Sequence, residues 1–208
     1  TYWQMIGQFT EDTVRVFAAE LGYLIFILLC LACAVETDNK AHFFLKPGHL
    51  RLADFGLSRR LERGGRAFTI CGTIQYMAPE VLSGGPYNHA ADWWSLGILL
   101  FSLVNGKFPV PPEPDHCSML RRVRSFPYEM PLSFTPPFAL LITELLCKTP
   151  SRRLRTLDRF KRQTFFFGTT FDLSLMQRQP VEVTSEVSCP ATHQADYSGI
   201  IVGRNKVS

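Results

Sequence analysis

Asp54-Phe55-Gly56 and Ala78-Pro79-Glu80 stand in that order along the chain, with Thr69-Ile70-Cys71-Gly72-Thr73 between them. Asp92-Trp93-Trp94-Ser95-Leu96-Gly97 follows. The first triplet alone says little, because three common residues recur by chance. The ordered set says far more, since each element has a mechanical role in phosphoryl transfer. A second group with chemical capacity is Cys30 and Cys33, a C-x-x-C inside Leu29-Cys30-Leu31-Ala32-Cys33-Ala34. A zinc site needs about four ligands, and the sequence supplies no second pair. Small apolar packing residues are the favoured reading of these thiols.

Those motifs need elements to hold them in place. Thr10-Glu11-Asp12 predicts a helix start, with Thr10 as cap and two acids at the positive end of the dipole. Val14, Phe17, Ala18 and Leu21 continue it as one apolar stripe. Beyond Leu21 every face turns apolar, and the run Leu21 to Val35 spans fifteen uncharged residues. A membrane span wants roughly twenty, so a buried helix segment is expected, with membrane association as the less favoured alternative. Residues 36–40 are polar and predict a loop. His49 to Ala53 alternates like a short strand. Phe55 to Glu80 predicts a long loop, ordered or switchable. Ala91 to Val104 predicts a buried helix ending near Asn105-Gly106. Pro109 to Pro114 must be turn or extended loop. Residues 116–124, 137–146 and 154–162 predict further short helices. Past residue 181 the chain loses periodicity, which predicts a loose polar tail over 184–208.

Bulk properties bound the rest. A chain of 208 residues, 46% apolar and 19% charged, can bury one full core. Its net charge of +4 gives no case for nucleic acid. Arg59, Arg60, Arg63 and Arg66 crowd together, but one short run is more often a solvated loop. The six cysteines lie mostly in apolar helical contexts, which argues against a disulfide framework and for a reducing, intracellular setting, cytoplasmic or nuclear.

From Thr10 to about residue 183 the order of elements resembles the large lobe of a Ser/Thr protein kinase. Thr69-Ile70-Cys71-Gly72-Thr73 resembles the T-x-C-G-T of the AGC group, the relatives of protein kinases A, G and C. Tyr87 to Gly97 resembles the group's Y-N-x-x-x-D-W-W-x-L-G, and Thr149 to Leu154 its D-P-x-x-R-L, with Thr149 in place of Asp. Phe165-Phe166-Phe167-Gly168 resembles the F-F-x-G after the last helix. Within the group, the ribosomal-protein kinase relatives look nearest.

The resemblance implies a mainly α fold: the C-terminal, large lobe of the kinase fold with a few short strands, over residues 1–183. It implies ATP and Mg²⁺ as cofactors, with Asp54, Phe55 and Gly56 at the nucleotide and Asp54 as Mg²⁺ ligand. Thr69 matches the activation-loop phosphosite, the target of an upstream kinase. Thr73 matches the substrate-docking loop, whose partners are protein substrates. Glu80 and Arg153 match a buried structural ion pair. Asp92 matches a helix acid that holds the catalytic loop's backbone, and it would be left buried without partners where that loop is replaced. Trp93 and Trp94 are expected to pack the core.

An intact member carries H-R-D-x-K-x-x-N ahead of D-F-G: a base, a lysine on the γ-phosphate and an asparagine on a second Mg²⁺. The nearest match is His42-Phe43-Phe44-Leu45-Lys46-Pro47. It puts Phe44 where the base belongs and leaves Lys46 as a remnant or an ordinary loop lysine. Phe44 precedes Asp54 by ten residues, against about eighteen in the family, so a hairpin strand is also expected to be missing. Residues 22–47 therefore read as an atypical insert in place of the catalytic loop, a splice product or a gene-model artefact. No G-x-G-x-x-G or V-A-I-K occurs, so the N-terminal lobe is expected to be absent. Three functions stay open: the family's phosphoryl transfer, a pseudokinase-like docking or scaffolding module, and a truncated product with no independent role.

Overall fold

In the computed structural model the described residues are 8–31, 44–46, 49–51, 61, 64–125, 127 and 130–171. They form helices around one apolar core, with a small hairpin beside them. Helix α1, Glu11–Leu31, starts where the sequence places it. The Thr10 hydroxyl accepts from the Thr13 amide at 3.4 Å and closes the first turn. Its first half buries Val14, Phe17, Ala18 and Leu21 as one stripe.

Its second half differs from expectation. Helix continues through Leu31, but Tyr23 to Ile27 are only partly covered and Phe26 is 40% exposed. An all-round apolar pattern needs neighbours on every side; Ile25 packs against the core, while Phe26 lies on the side that the described residues leave open. No helix among the described residues is long and apolar enough to cross a membrane.

Strands β1, Phe44–Lys46, and β2, His49–Arg51, pair antiparallel, with Phe44 opposite Arg51 and Lys46 opposite His49. This corrects the expectation that a hairpin strand is missing. Pro47-Gly48 is a turn-forming connection, and the strand on its N-terminal side is Phe44–Lys46. Of the alternating pattern from His49 to Ala53, β2 holds His49–Arg51, and the last two residues lie outside the described set.

Residues 64–80 are not loop throughout. A 3₁₀ turn forms at Ile74–Tyr76, and Pro79–Leu82 is a short helix, α2. Helix α3, Ala90–Asn105, is the central element. It ends at Gly106, whose φ of 68° is left-handed and whose amide returns to the Ser102 carbonyl. Helix α4 spans His116–Ser125 and α5 spans Pro136–Leu145. The Thr135 hydroxyl caps α5 by accepting from the Phe138 amide, while the Glu11 carboxylate takes the Thr135 amide at 2.7 Å. The starts of α1 and α5 are thereby tied together.

Helix α6 covers only Leu157–Lys161, less than the stretch expected from residue 154. Two bonds explain the delay: the Leu154 amide goes to the Glu144 carbonyl, and the Thr156 hydroxyl caps the Arg159 amide. A 3₁₀ turn at Thr164–Phe166 follows. Helix α3 packs on α1 and α5, and α1 also meets α6. Gly97 permits the α3–α5 contact, since a Cβ there would lie 2.8 Å from the Leu145 Cβ. Trp93, Trp94, Phe138, Phe160, Phe165 and Phe166 fill the core, all at most 2% exposed. The tail expected over 184–208 lies outside the described residues.

Candidate functional site

Arg153 is the most enclosed charge among the described residues, 0% exposed and surrounded by partners. Its Nη1 and Nη2 donate to the two carboxylate oxygens of Glu80 at 2.6 and 2.9 Å. The same guanidinium donates to the Ala90 carbonyl at 2.8 Å and, through Nε, to the Cys147 carbonyl at 2.9 Å. It also lies 5.0 Å from the Trp94 ring centre. A planar fork suits this bidentate, stacked setting, and a lysine could not reproduce it. Local sequence aims both partners. Ala78 is extended and Pro79 opens α2, so Glu80 falls in the first turn, where the dipole favours an acid. The turn at Thr149, whose carbonyl takes the Arg152 and Arg153 amides, points Arg153 inward.

The segment ahead of α2 is pinned to the same base. Ala67 and Tyr87 exchange two backbone bonds of 2.9 Å, and the Tyr87 hydroxyl donates to the Thr69 carbonyl at 2.8 Å. Thr69 is exposed, flanked by Phe68 and Ile70 at 61% and 44% exposure. Arg66, three residues earlier, is exposed as well. Thr73 is exposed and precedes the Ile74–Tyr76 turn, its carbonyl accepting from the Tyr76 amide. Ser95 of α3 donates to the Tyr76 carbonyl at 2.9 Å and anchors that turn.

Asp92 departs from expectation. It lies in the first turn of α3 but is exposed, and no hydrogen bond reaches its carboxylate among the described residues. It is therefore not a buried unsatisfied group, because its side chain leaves the core side of α3 to Trp93 and Trp94. The protein mass around it pushes its pKa up to about 6 by desolvation. Enclosure and exposure disagree here. Exposure governs, since water that reaches a carboxylate solvates it directly. His89, just before α3, is shifted down, by burial first and by Arg155 second.

Phe44 and Lys46 are strand residues in β1, paired with the strand that leads toward Asp54. Asp54, Phe55 and Gly56 lie outside the described residues, as do Cys30's side chain and Cys33. Cys71, Cys117 and Cys147 are free thiols. Among the described residues no three His, Cys, Asp or Glu side chains gather as metal ligands. The structure thus brings Glu80 and Arg153 together and leaves Thr69 and Thr73 on the surface. One signal in the sequence was passed over. Asp38-Asn39-Lys40 has D-x-K spacing and stands sixteen residues before Asp54, close to the family interval; it too lies outside the described residues.

Residues 35–166 match the protein kinase domain family, so the chain belongs to the protein kinases. Its motifs and relatives are those of the AGC-type Ser/Thr kinases related to the ribosomal S6 kinases. It is 49% identical over 93% of its length to the human ribosomal protein S6 kinase-related protein, covering 48% of that protein. It is 31% identical to ribosomal protein S6 kinase 2 alpha of Xenopus laevis over 90% of the chain, and 30% identical to mouse ribosomal protein S6 kinase alpha-3 over 83%. The chain spans about half the length of the first of these relatives and about a quarter of the other two.

Proposed function

We propose that this chain is the large lobe of an AGC-type Ser/Thr kinase that serves as a docking base and does not transfer phosphate by itself. The β1–β2 hairpin carries the reading. Phe44 and Lys46 belong to a strand pair leading to D-F-G, so a catalytic base has to come from ahead of residue 44. No H-R-D stands there. Counting from Asp38, Glu36 and Thr37 replace the histidine and arginine, and Phe43 replaces the asparagine. A phenyl ring cannot hold a second Mg²⁺. Asp54 is the remaining Mg²⁺ candidate, and ATP and Mg²⁺ are its cofactors by family resemblance only.

The docking side has the opposite character. The Glu80–Arg153 fork, the Ala67–Tyr87 bridge and the Ser95–Tyr76 bond support a built surface around Thr73 for protein partners. Exposed Thr69 suits modification by an upstream kinase, and a phosphate there would add nearly two negative charges close to Arg66. One finding favours a second reading, residual phosphoryl transfer through Asp38: the family match begins at residue 35, ahead of the D-x-K.

A phosphotransfer assay with purified chain, Mg·ATP and a Ser/Thr peptide separates the two. The docking-base reading expects the chain and its Asp38→Asn variant to match the protein-free background. Turnover that Asp38→Asn lowers by roughly 10²–10⁴-fold establishes the second.

A further inference from the structure

Arginine stands three residues ahead of a serine or threonine at three places in the sequence: Arg66 before Thr69, Arg122 before Ser125 and Arg153 before Thr156. That spacing is a charge pattern that basophilic Ser/Thr kinases read in their substrates. Thr69 already belongs to the activation segment. The fold separates the other two. Arg153 is fully buried in the fork with Glu80, so an incoming enzyme has no access to it, and the Thr156 hydroxyl caps α6.

Ser125 is different. It is the last residue of α4 and exposed, and Arg121, Arg122 and Arg124 ahead of it are exposed as well. Its hydroxyl donates to the Arg121 carbonyl at 2.9 Å, a bond at a helix end, where the last turn frays. Pro127 follows closely and bars the helix from continuing. Arg122 is paired with Glu113 at 2.8 Å, but both side chains reach solvent, and exposed pairs of this kind are weak.

Ser125, Arg121 and Arg122 line one cleft of about 310 Å³, together with Glu113 and Ser118. The cleft is charge-balanced as it stands. Glu113 holds Arg122, and Asp115 lies near Arg121, its carboxyl kept below the usual range first by the Ser118 amide and hydroxyl. It has the volume for a phosphate, and two guanidiniums face the same space.

We infer that Ser125 is a phosphorylation site for a basophilic Ser/Thr kinase, with Arg122 as the side chain which that enzyme reads. The Ser125 hydroxyl oxygen attacks the γ-phosphorus of ATP held by that enzyme. The bond from the γ-phosphorus to the bridging oxygen breaks, ADP leaves, and the hydroxyl proton passes to the enzyme's base. The product carries nearly two negative charges in the cleft of Arg121 and Arg122. The site is separate from Thr69 and does not depend on whether this chain itself transfers phosphate.

The test treats the full chain with protein kinase A and Mg·ATP and locates phosphate by mass spectrometry, with a reaction lacking that kinase as background. Ser125 is expected to be modified in the folded chain while Thr156 is not. Arg122→Gln should slow the modification by roughly tenfold or more, and Arg159→Gln on α6 should leave it unchanged. A folded chain without phosphate on Ser125 overturns the inference, and all the more so where a synthetic peptide of residues 116–130 is modified, because the fold then hides the site. So does labelling of Thr156 as fast as Ser125, which would mean that the kinase acts on unfolded chain, or a rate that Arg122→Gln does not change. Both variants alter exposed side chains, and a melt of each confirms that the fold is kept.

Discussion

The base around Arg153 and the second half of α1 are both rich in apolar side chains, yet only the first is covered. Around Arg153 a buried charge has carboxylate, carbonyl and ring partners in place. On α1, Tyr23 to Ile27, an equally apolar stretch, stand partly exposed. The difference lies in neighbours and not in composition. Helices α2, α3 and the Cys147–Arg153 turn close around the guanidinium, whereas the described residues cover Tyr23 to Ile27 only in part. The docking function proposed above draws on the first of these regions.

The sharpest way to break the contrast is Arg153→Ala. It strands the Glu80 carboxylate and two backbone carbonyls, and about 3–5 kcal/mol of stability should be lost in urea unfolding. Replacing both members, Glu80→Leu with Arg153→Met, should recover part of that loss but not all, because the Ala90 and Cys147 carbonyls still lack donors. A loss under 1 kcal/mol for Arg153→Ala would show that the base is not held by this pair.

Asp92 sits at the border between the two regions, and its pH dependence has a definite sign. Its folded-state pKa, about 6, lies above the usual carboxylate value, so the folded chain binds that proton more tightly than the unfolded chain does. The stability it contributes is full below about pH 4 and lost as pH rises through 6. Asp92→Asn should therefore match the parent at low pH and exceed it above pH 6, with the gap kept small by solvent. Parallel stability curves across that range would mean that desolvation is not felt there.

Phe26→Ser has the smallest expected effect on stability, within about 0.5 kcal/mol, because the ring is already partly in water. Its effect on association is the informative part. If the second half of α1 is uncovered in solution, the variant should aggregate less in light scattering. A loss of 2 kcal/mol or more would mean that a partner segment covers the ring.

Most of the helical base was legible in the sequence because its signals are local. Thr10 caps a helix, Gly106 ends one, and the Val14-to-Leu21 stripe has helical period, whereas the Thr156 cap that delays α6 was not read. What misled was spacing read without structure. Matching His42 to Pro47 with a catalytic loop ignored Pro47-Gly48 as a connection between two strands, so the Phe44 strand was taken for the site of a base. The fading burial along α1 was also hidden, since periodicity shows which face is apolar but not where the covering elements stop. Asp92 was misjudged for a similar reason: its tryptophan neighbours turn to the core, and it does not. The D-x-K at Asp38 was visible throughout.

The measurement that tests the central claim most directly is a thermal melt of the chain with and without millimolar Mg·ATP. A ligand that binds only the folded state adds RT ln(1 + [L]/Kd), about 2.7 kcal/mol at a hundred times Kd. A docking base with an incomplete nucleotide side predicts one cooperative melt, unmoved by Mg·ATP. An upward shift that grows with Mg·ATP concentration would contradict it and show that a working nucleotide site survives in this chain.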